Sequence, residues 1–409
     1  VSMRPRLPGA FWMIIIAMII ARTAFFVESF LTIFMKSEAG FSSALAAFIM
    51  GLYGFGGAAA AFSSGPLIDR LGPRIPLLVS LLATAAAAVV LALGPPNWSL
   101  ALIVLAFGLV GQVIQPASNA YIAQLVPDSR RREAYSWSFI ALNSGLAIGP
   151  LLGGYLAGVD FSLMFGTGAT LIVIGALFAA AAKPARQHGL GAATARPLEP
   201  ARPMASMREL LRDRVFVEYT GLNWLFMVLY LQVFVILPLL MLGDGLTAQD
   251  YGILMGVNGT ALVLLQLPFD RAIRRFTTGR LLTVAVVLLV CGLLVNRLAD
   301  ALWLYLLAAA FWTSAELINM PLATTVSSVL APPHLRGSYL AVHGMAFPLG
   351  MGVASLIGGS AFALLGDPKL IWLVLAGIGA VLTVLRFRME GRLQARLAGA
   401  PPSASADPE

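Results

Sequence analysis

The stretch Gly65-Pro66-Leu67-Ile68-Asp69-Arg70-Leu71-Gly72-Pro73-Arg74 stands between two apolar runs, each long enough to cross a membrane. A charged segment in that setting is a turn at a membrane face. Glycines allow a tight exit from one helix and a close approach to its neighbour. Asp69 can accept hydrogen bonds at the positive N-terminus of an adjacent helix, while Arg70 and Arg74 stay in headgroup or solvent water. A plain basic turn that only obeys topology would carry the same arginines, so the stretch by itself leaves both readings open.

Outward from this turn the apolar runs repeat. Of 409 residues, 59% are hydrophobic and 11% charged, and the mean hydropathy is +0.86; such a composition does not cover a soluble surface. Runs of roughly 20 apolar residues, the length that crosses the hydrocarbon core as helix, recur about a dozen times. Helices satisfy their own backbone polar groups in lipid, so an all-α membrane bundle is expected. Spans are predicted near 10–35, 42–64, 75–94, 99–126, 134–158 and 162–182, then 215–242, 248–270, 281–297, 301–330, 338–364 and 369–387. The first run is too long, and too polar at its centre, for a cleaved signal peptide, and reads as span one. Segment 183–214, rich in Pro, Ala, Gly and Arg, reads as a cytoplasmic linker between the halves 1–182 and 215–397, with a short surface helix over Met207–Leu211. Residues 398–409 read as a disordered tail. The single cysteine, Cys291, lies in a predicted span, which excludes a disulfide or a cysteine-based metal site within one chain.

A net charge of +8 raises the question of nucleic acid, and the placement of the charges answers it. With a cytoplasmic N-terminus and twelve spans, all but four of the 27 basic residues fall on the cytoplasmic side; the exceptions are Lys36, Arg297 and Lys369 in outer loops and Arg22 inside span one. The positive-inside rule then puts both termini in the cytoplasm. Basicity reports membrane orientation here, and no nucleic-acid partner is implied.

The two halves superimpose as sequence at a constant offset of 205 residues, without a gap, from Ile49 to Gly154. Met50-Gly51 meets Met255-Gly256, Pro116 meets Pro321, Arg131 meets Arg336, and Gly145, Gly153 and Gly154 meet Gly350, Gly358 and Gly359. Internal repeats of this kind are how transporters build alternating access, with the site at the repeat interface near the midplane. At the turn after span eight the second copy departs, with Asp270 opposite Gly65 and Arg274 opposite Asp69.

The Gly65–Arg74 stretch resembles the signature loop of the major facilitator superfamily, with Gly65, Leu67, Asp69, Arg70, Gly72 and Arg74 on the family's positions and Pro66 and Pro73 as departures. The resemblance implies the major facilitator fold, twelve helices in two six-helix halves related by pseudo-symmetry, and a loop on the cytoplasmic face that braces the outward-facing state. In span five, Gly145-x-x-x-Gly149-Pro150-x-x-Gly153-Gly154 is similar to the antiporter motif of the family's exporters. Its small residues line one helix face and let another backbone approach, while Pro150 removes a donor and can bend the helix. A generic packing face is the plainer reading. Span four departs from the exporter pattern, because Val104 stands where the family's drug antiporters usually carry an arginine; Arg22 is the residue that could take over its role.

Charge inside the membrane points to function, because a central Arg, Lys or Asp costs about 2.5–3.5 kcal/mol even on the lenient scale. Arg22, Glu28 and Glu316 are the clear cases, with His343 beside them. Arg22 and Glu28 lie roughly 9 Å apart in rise and about 120° apart around an ideal helix, so direct pairing is not expected and each should face a cavity or another span. A permanent buried ion pair is the alternative. Burial favours a neutral carboxyl and an approaching arginine favours the charged one, so motion between them could couple a proton to transport, with Glu28 favoured over Glu316. The repeat mate of Glu316 is Gly111, which marks Glu316 as a feature of one half only. Phe26, Gln115, Asn119, Asn143, Trp224, Asn258, Asn319 and His343 are expected to line the cavity, an amphipathic and aromatic lining suited to lipophilic or cationic organic compounds. His343, Met345 and Met320 could be read as a soft-metal site, but methionines in an apolar protein are more often core filler, and no metal site is assigned.

The expected function is proton-coupled export of an amphipathic or cationic organic compound by a monomer in the lipid of a bacterial cytoplasmic membrane, powered by the proton gradient and needing no cofactor. The rivals are an importer of a small nutrient or copper, and a non-transporting sensor with the same fold. No nucleophile, base and orienter set and no phosphate loop suggests an enzyme.

Overall fold

A computed structural model of the chain describes residues 7–127, 130–183, 203–273 and 275–399. Most of the expected linker, 184–202, and the tail from 400 onward lie outside the described residues. Among the described residues twelve helices are long and apolar enough to cross a membrane: Gly9–Ser37, Ser43–Leu71, Arg74–Ala92, Asn97–Leu125, Glu133–Val159, Phe161–Ala181, Arg214–Gly243, Ala248–Ile273, Thr278–Leu298, Leu302–Leu330, Arg336–Leu364 and Pro368–Ala398. They are called spans one to twelve. A further helix, Pro203–Arg212, covers the surface helix expected over Met207–Leu211.

Helix ends follow local chemistry rather than hydropathy. Ser42, Asp160, Asp213 and Thr277 each accept a backbone N–H of the helix they precede, which satisfies one orphan donor of the first turn. Span two runs past the expected end at 64 to Leu71, so Gly65, Asp69 and Arg70 sit on its last turns and not in a loop. The turn itself is Gly72, whose φ of 71° a side chain would strain, followed by Pro73. Span twelve likewise continues as a basic helix to Ala398.

Spans one and seven are each broken twice. Span one is built as Gly9–Thr23, Phe26–Ser29 and Leu31–Ser37, and span seven as Arg214–Tyr230, Gln232–Val235 and Leu237–Gly243. The cause lies in the facing glycine helices. A Cβ on Gly145 would come within 2.6 Å of the Cβ of Arg22, and Gly149 has no room beside the carbonyl of Thr23. In the second half, Gly350 faces Met227 and Leu231, and Gly358 faces Val235 and Ile236. Gly350 is the repeat mate of Gly145, which makes Met227 the counterpart of Arg22 and extends the 205-residue offset to span one.

Within the first half, span one packs on spans five and six, three on six, and two on four; within the second, seven packs on eleven and twelve, nine on ten and twelve, and eight on ten. The halves meet where span two lies along eleven and span five along eight. These two seams are one contact made twice. A Cβ on Gly54 would sit 2.9 Å from the Cα of Gly352, and a Cβ on Gly259 would sit 2.7 Å from the Cα of Ala147; both pairs are related by the offset. Arg131 likewise donates to the carbonyl of Ala123 at 3.2 Å, and its mate Arg336 donates to Ser328 at 3.0 Å, Ser328 being the mate of Ala123.

The position of the seams sets the state of the molecule. Span one starts from the side of the N-terminus, so Gly51, Gly54, Gly154, Gly252 and Gly256 all lie in the half of the bundle away from the termini. Phe25 against Phe234 and Phe30 against Tyr251 close the same region with edge-on ring contacts at 6.4 and 5.4 Å. Toward the termini the glycine approaches between the halves stop near mid-span, at Gly57 against Pro348 and Gly259 against Ala147. The bundle is shut on the far side and open on the side of the termini.

Candidate functional site

The breaks in span one decide the geometry of the site. An unbroken helix would hold Arg22 and Glu28 on different faces; the irregular turns at Ala24, Phe25 and Phe30 instead bring both to one cavity. A cavity of about 80 Å³, partly open to solvent, lies there among spans one, three, four, five and six. Arg22, Glu28, Gln112 and Gln115 supply its polar groups and Met18, Phe25, Leu81, Phe107 and Ile172 its apolar wall. All of these residues belong to the first half, so this space is not the symmetric inter-half cavity that the repeat suggests. A smaller cleft crosses the interface between the halves, bounded by Glu28, Tyr53, Phe234, Phe347 and Met351. Glu28 borders both.

Glu28 is held by span two. The Tyr53 hydroxyl donates to its Oε2, and Gln112 of span four donates to the Tyr53 oxygen at 2.9 Å. Arg22 lies close enough to influence the carboxylate electrostatically, but the two form no ion pair within 4 Å, as their separation in sequence suggested. The guanidinium instead lies over the Phe25 ring, 4.3 Å from its centroid. Its Nε is buried without a hydrogen bond.

Glu316 has a similar nest in the second half. Asn258 of span eight donates to its Oε2 at 3.0 Å and to Thr313 at 3.0 Å, and Tyr230 of span seven packs beside Trp312 on the same span as Glu316. Asn258 is the repeat mate of Tyr53. A Cβ on Gly111, the mate of Glu316, would lie 3.9 Å from Oε1 of Glu28. The reading of Glu316 as a feature of one half only is therefore corrected: each half places a carboxylate at the same pseudo-symmetric spot, from span ten in one and from span one in the other.

Other expected cavity residues divide. Gln115 lines the cavity and donates to Asn119 at 3.3 Å. Asn258 serves Glu316. Phe26 does not line the cavity, because the first break turns it against Gly153 and Gly168 and leaves Phe25 facing the space. Asn319 is fully buried and donates to Asn223 at 3.2 Å inside the second half. Asn143 donates to the carbonyl of Phe139 on its own helix at 2.8 Å. Trp224 packs in the core with its Nε1 unpartnered, and His343 lies 3.4 Å from Thr324. Among the described residues no three His, Cys, Asp or Glu side chains come together to hold a metal ion.

The two motifs also find their places. Gly145, Gly149 and Gly153 receive span one, and a Cβ on Gly154 would lie 2.8 Å from the Cα of Gly252 across the halves. Pro150 sits inside span five without breaking it. On span two, nothing approaches Gly65, so the close contact expected of it is absent in this state. Arg74 is not left in water, since it donates to the carbonyl of Ala180 at the end of span six at 2.6 Å. Sequence reasoning missed Tyr53 as the partner of Glu28; the offset that links Tyr53 to Asn258 was the available signal.

Residues 12–295 and 233–405 match the model of the Major Facilitator Superfamily. The multidrug resistance protein MdtH of Salmonella typhimurium (strain LT2) is 25% identical over 378 residues, which cover 91% of this chain and 92% of that protein; MdtH of Salmonella newport is similar to the same degree. Among solved structures, a POT family transporter in complex with 5-aminolevulinic acid superimposes with a TM-score of 0.79 at 13% identity, covering 94% of this chain and 97% of that one. The nucleoside transporter NupG superimposes with a TM-score of 0.73 at 15% identity, covering 93% and 100%. At these identities the structures speak for the fold alone. The chain belongs to the Major Facilitator Superfamily. It is a multi-pass membrane protein of a family whose members are transporters rather than enzymes.

Proposed function

We propose that this chain exports an amphipathic organic compound in exchange for protons by alternating access, acting as a monomer in a bacterial cytoplasmic membrane with both termini in the cytoplasm. The observation that carries the reading is the pair of buried carboxylates at matched positions, of which only Glu28 borders both the cavity and the inter-half cleft. In this reading Glu28 carries the proton and Arg22 sets its affinity, while Glu316 supports the second half. The halves 1–182 and 215–397 rock about the glycine seams, joined by the linker 183–214. The antiporter-like run Gly145, Gly149, Pro150, Gly153 and Gly154 seals the far side. Gly65, Asp69, Arg70, Gly72 and Arg74 brace the opposite end when it closes. Export is favoured by that run and by the MdtH relatives; the function of MdtH is that protein's own.

Import of a small polar solute is the second reading. It is supported by the polar end of the cavity, where Arg22, Glu28, Gln112 and Gln115 converge, and by folds shared with a peptide-type and a nucleoside transporter. Proteoliposomes of known orientation with an imposed pH gradient separate the readings. Organic solute leaving the side of the termini as protons enter supports export, movement with the protons supports import, and no solute-dependent proton flux for any compound class rejects both.

A further inference from the structure

Among the described residues Arg22 is a membrane-buried cation on the cavity that forms no ion pair within 4 Å, with its Nε buried and unpartnered. Glu28, the nearest carboxylate, is engaged by Tyr53, and Tyr53 is tied back to Gln112. Two further polar groups of the lining donate elsewhere: Thr84 to the carbonyl of Ser80 at 2.7 Å, and Gln115 to Asn119 at 3.3 Å. Arg22 lies over the face of Phe25 and borders a cavity that opens to solvent. An arginine left without an acceptor in a low-dielectric space is costly, and its planar fork matches a carboxylate in two parallel hydrogen bonds.

The second half shows that the fold does not need this charge. Gly145 faces Arg22 as Gly350 faces Met227, so the same broken helix packs against the same glycine face with a methionine at the equivalent place. The cation at this place is an addition to one half, and it borders the larger of the two spaces, whose apolar wall includes Phe25, Phe107 and Ile172.

We propose that Arg22 is the recognition point for an anionic group, a carboxylate or its isostere, on the transported solute, whose apolar body lies against Phe25, Phe107 and Ile172. This rests on the reading of the chain as a transporter of amphipathic organic compounds and names their chemistry. It also orders the exchange. A bound anion and a released Glu28 compete for one guanidinium, so the solute and the free carboxylate do not hold Arg22 together.

The test uses purified full-length protein and three aromatic acids, 2-naphthoate, indole-3-acetate and 4-phenylbutyrate, each paired with its methyl ester. Binding is read by thermal stabilisation and titration, and movement by proton flux in proteoliposomes. At least one acid should bind more tightly than its ester. Arg22→Met should weaken that acid about ten- to a hundredfold, the scale of a charge-assisted hydrogen bond, and leave the ester unchanged, with Arg22→Lys in between. Equal binding of acids and esters, no binding of any acid, or an Arg22→Met protein that binds the acid normally overturns the assignment. Acids that bind through Arg22 but never move with protons uphold the site and reject the transport reading. Esters that move with protons while acids gain nothing uphold transport and reject the site.

Discussion

Each half of the bundle buries one carboxylate at the same pseudo-symmetric place, and the two are surrounded differently. Glu316 is held by a neutral donor, Asn258, on a neighbouring span of its own half. Glu28 has a single direct donor, Tyr53, and an arginine nearby that it does not touch. Where the first half has Arg22 the second has Met227. Architecture repeated the position of the acid but not its electrostatics. Only in the first half can a modest movement exchange one partner for another, tyrosine for arginine, and so change how firmly a proton is held. The second half has no second partner of that kind, and its acid reads as a fixed polar anchor.

The largest expected effect separates the two acids directly. Glu28→Gln should lower proton-driven transport by roughly a hundredfold, the scale on which positioned proton-transfer groups act, while substrate counterflow, which moves no net proton, persists. Glu316→Gln should lower both modes together and by less. Measuring the two modes in the same vesicles decides the matter: if Glu316→Gln shows the split and Glu28→Gln does not, the roles of the halves are reversed.

The seams sharpen the same contrast. A side chain at Gly154 would meet the backbone of Gly252, which cannot give, whereas a Cβ on its mate Gly359 would lie 2.7 Å from the ring of Phe48, which can rotate. Gly154→Leu should therefore cost about 1–3 kcal/mol of stability in the far-side-closed state by overpacking and lose most transport, and Gly359→Leu should do less of both. Thermal unfolding and transport assays of the pair test this, and equal losses would mean that the seams are mechanically equivalent. One step smaller, Tyr53→Phe removes the donor that keeps Glu28 from Arg22. A hydrogen bond to a charged group contributes about 1.5–3 kcal/mol, so proton-driven transport should fall about tenfold. Asn258→Leu should show its loss in melting temperature rather than in coupling.

The twelve spans were legible because the apolar runs are as long as the membrane is thick. Their ends were less so: hydropathy stops at the lipid edge near 64, while the helix stops at Leu71, where Gly72 turns to positive φ. The breaks in span one left no mark, for no proline or glycine occurs between Ala10 and Glu38; they arise from glycines more than a hundred residues away in span five. Placing Phe26 in the cavity followed from assuming an unbroken helix. Glu28, Arg22 and Glu316 stood out because charge in an apolar run is rare. Tyr53 did not, because a tyrosine in a span is ordinarily packing, and only the repeat shows that it stands where the other half has Asn258.

The smallest effect in this state belongs to Asp69, and its smallness is the informative part. Asp69 lies exposed on the last turn of span two. At the start of span eleven, its opposite number across the opening, Arg336 is occupied with Ser328 at 3.0 Å. With the termini side open the helix ends are apart, and removing the Asp69 charge gives up no bond. Asp69→Asn should leave melting temperature within the roughly ±0.5 kcal/mol of ordinary surface substitutions and ligand affinity in detergent unchanged. If the residue braces the other state against the positive end of a helix, it contributes about 0.3–1 kcal/mol there, and losing it shifts the balance between states by a few fold. Turnover should then fall a few fold while affinity holds, which transport kinetics and equilibrium binding measured side by side will show. Unchanged turnover would leave the turn as a topology signal alone, and a fall in affinity equal to the fall in turnover would place Asp69 in solute binding, where the open geometry gives it no part.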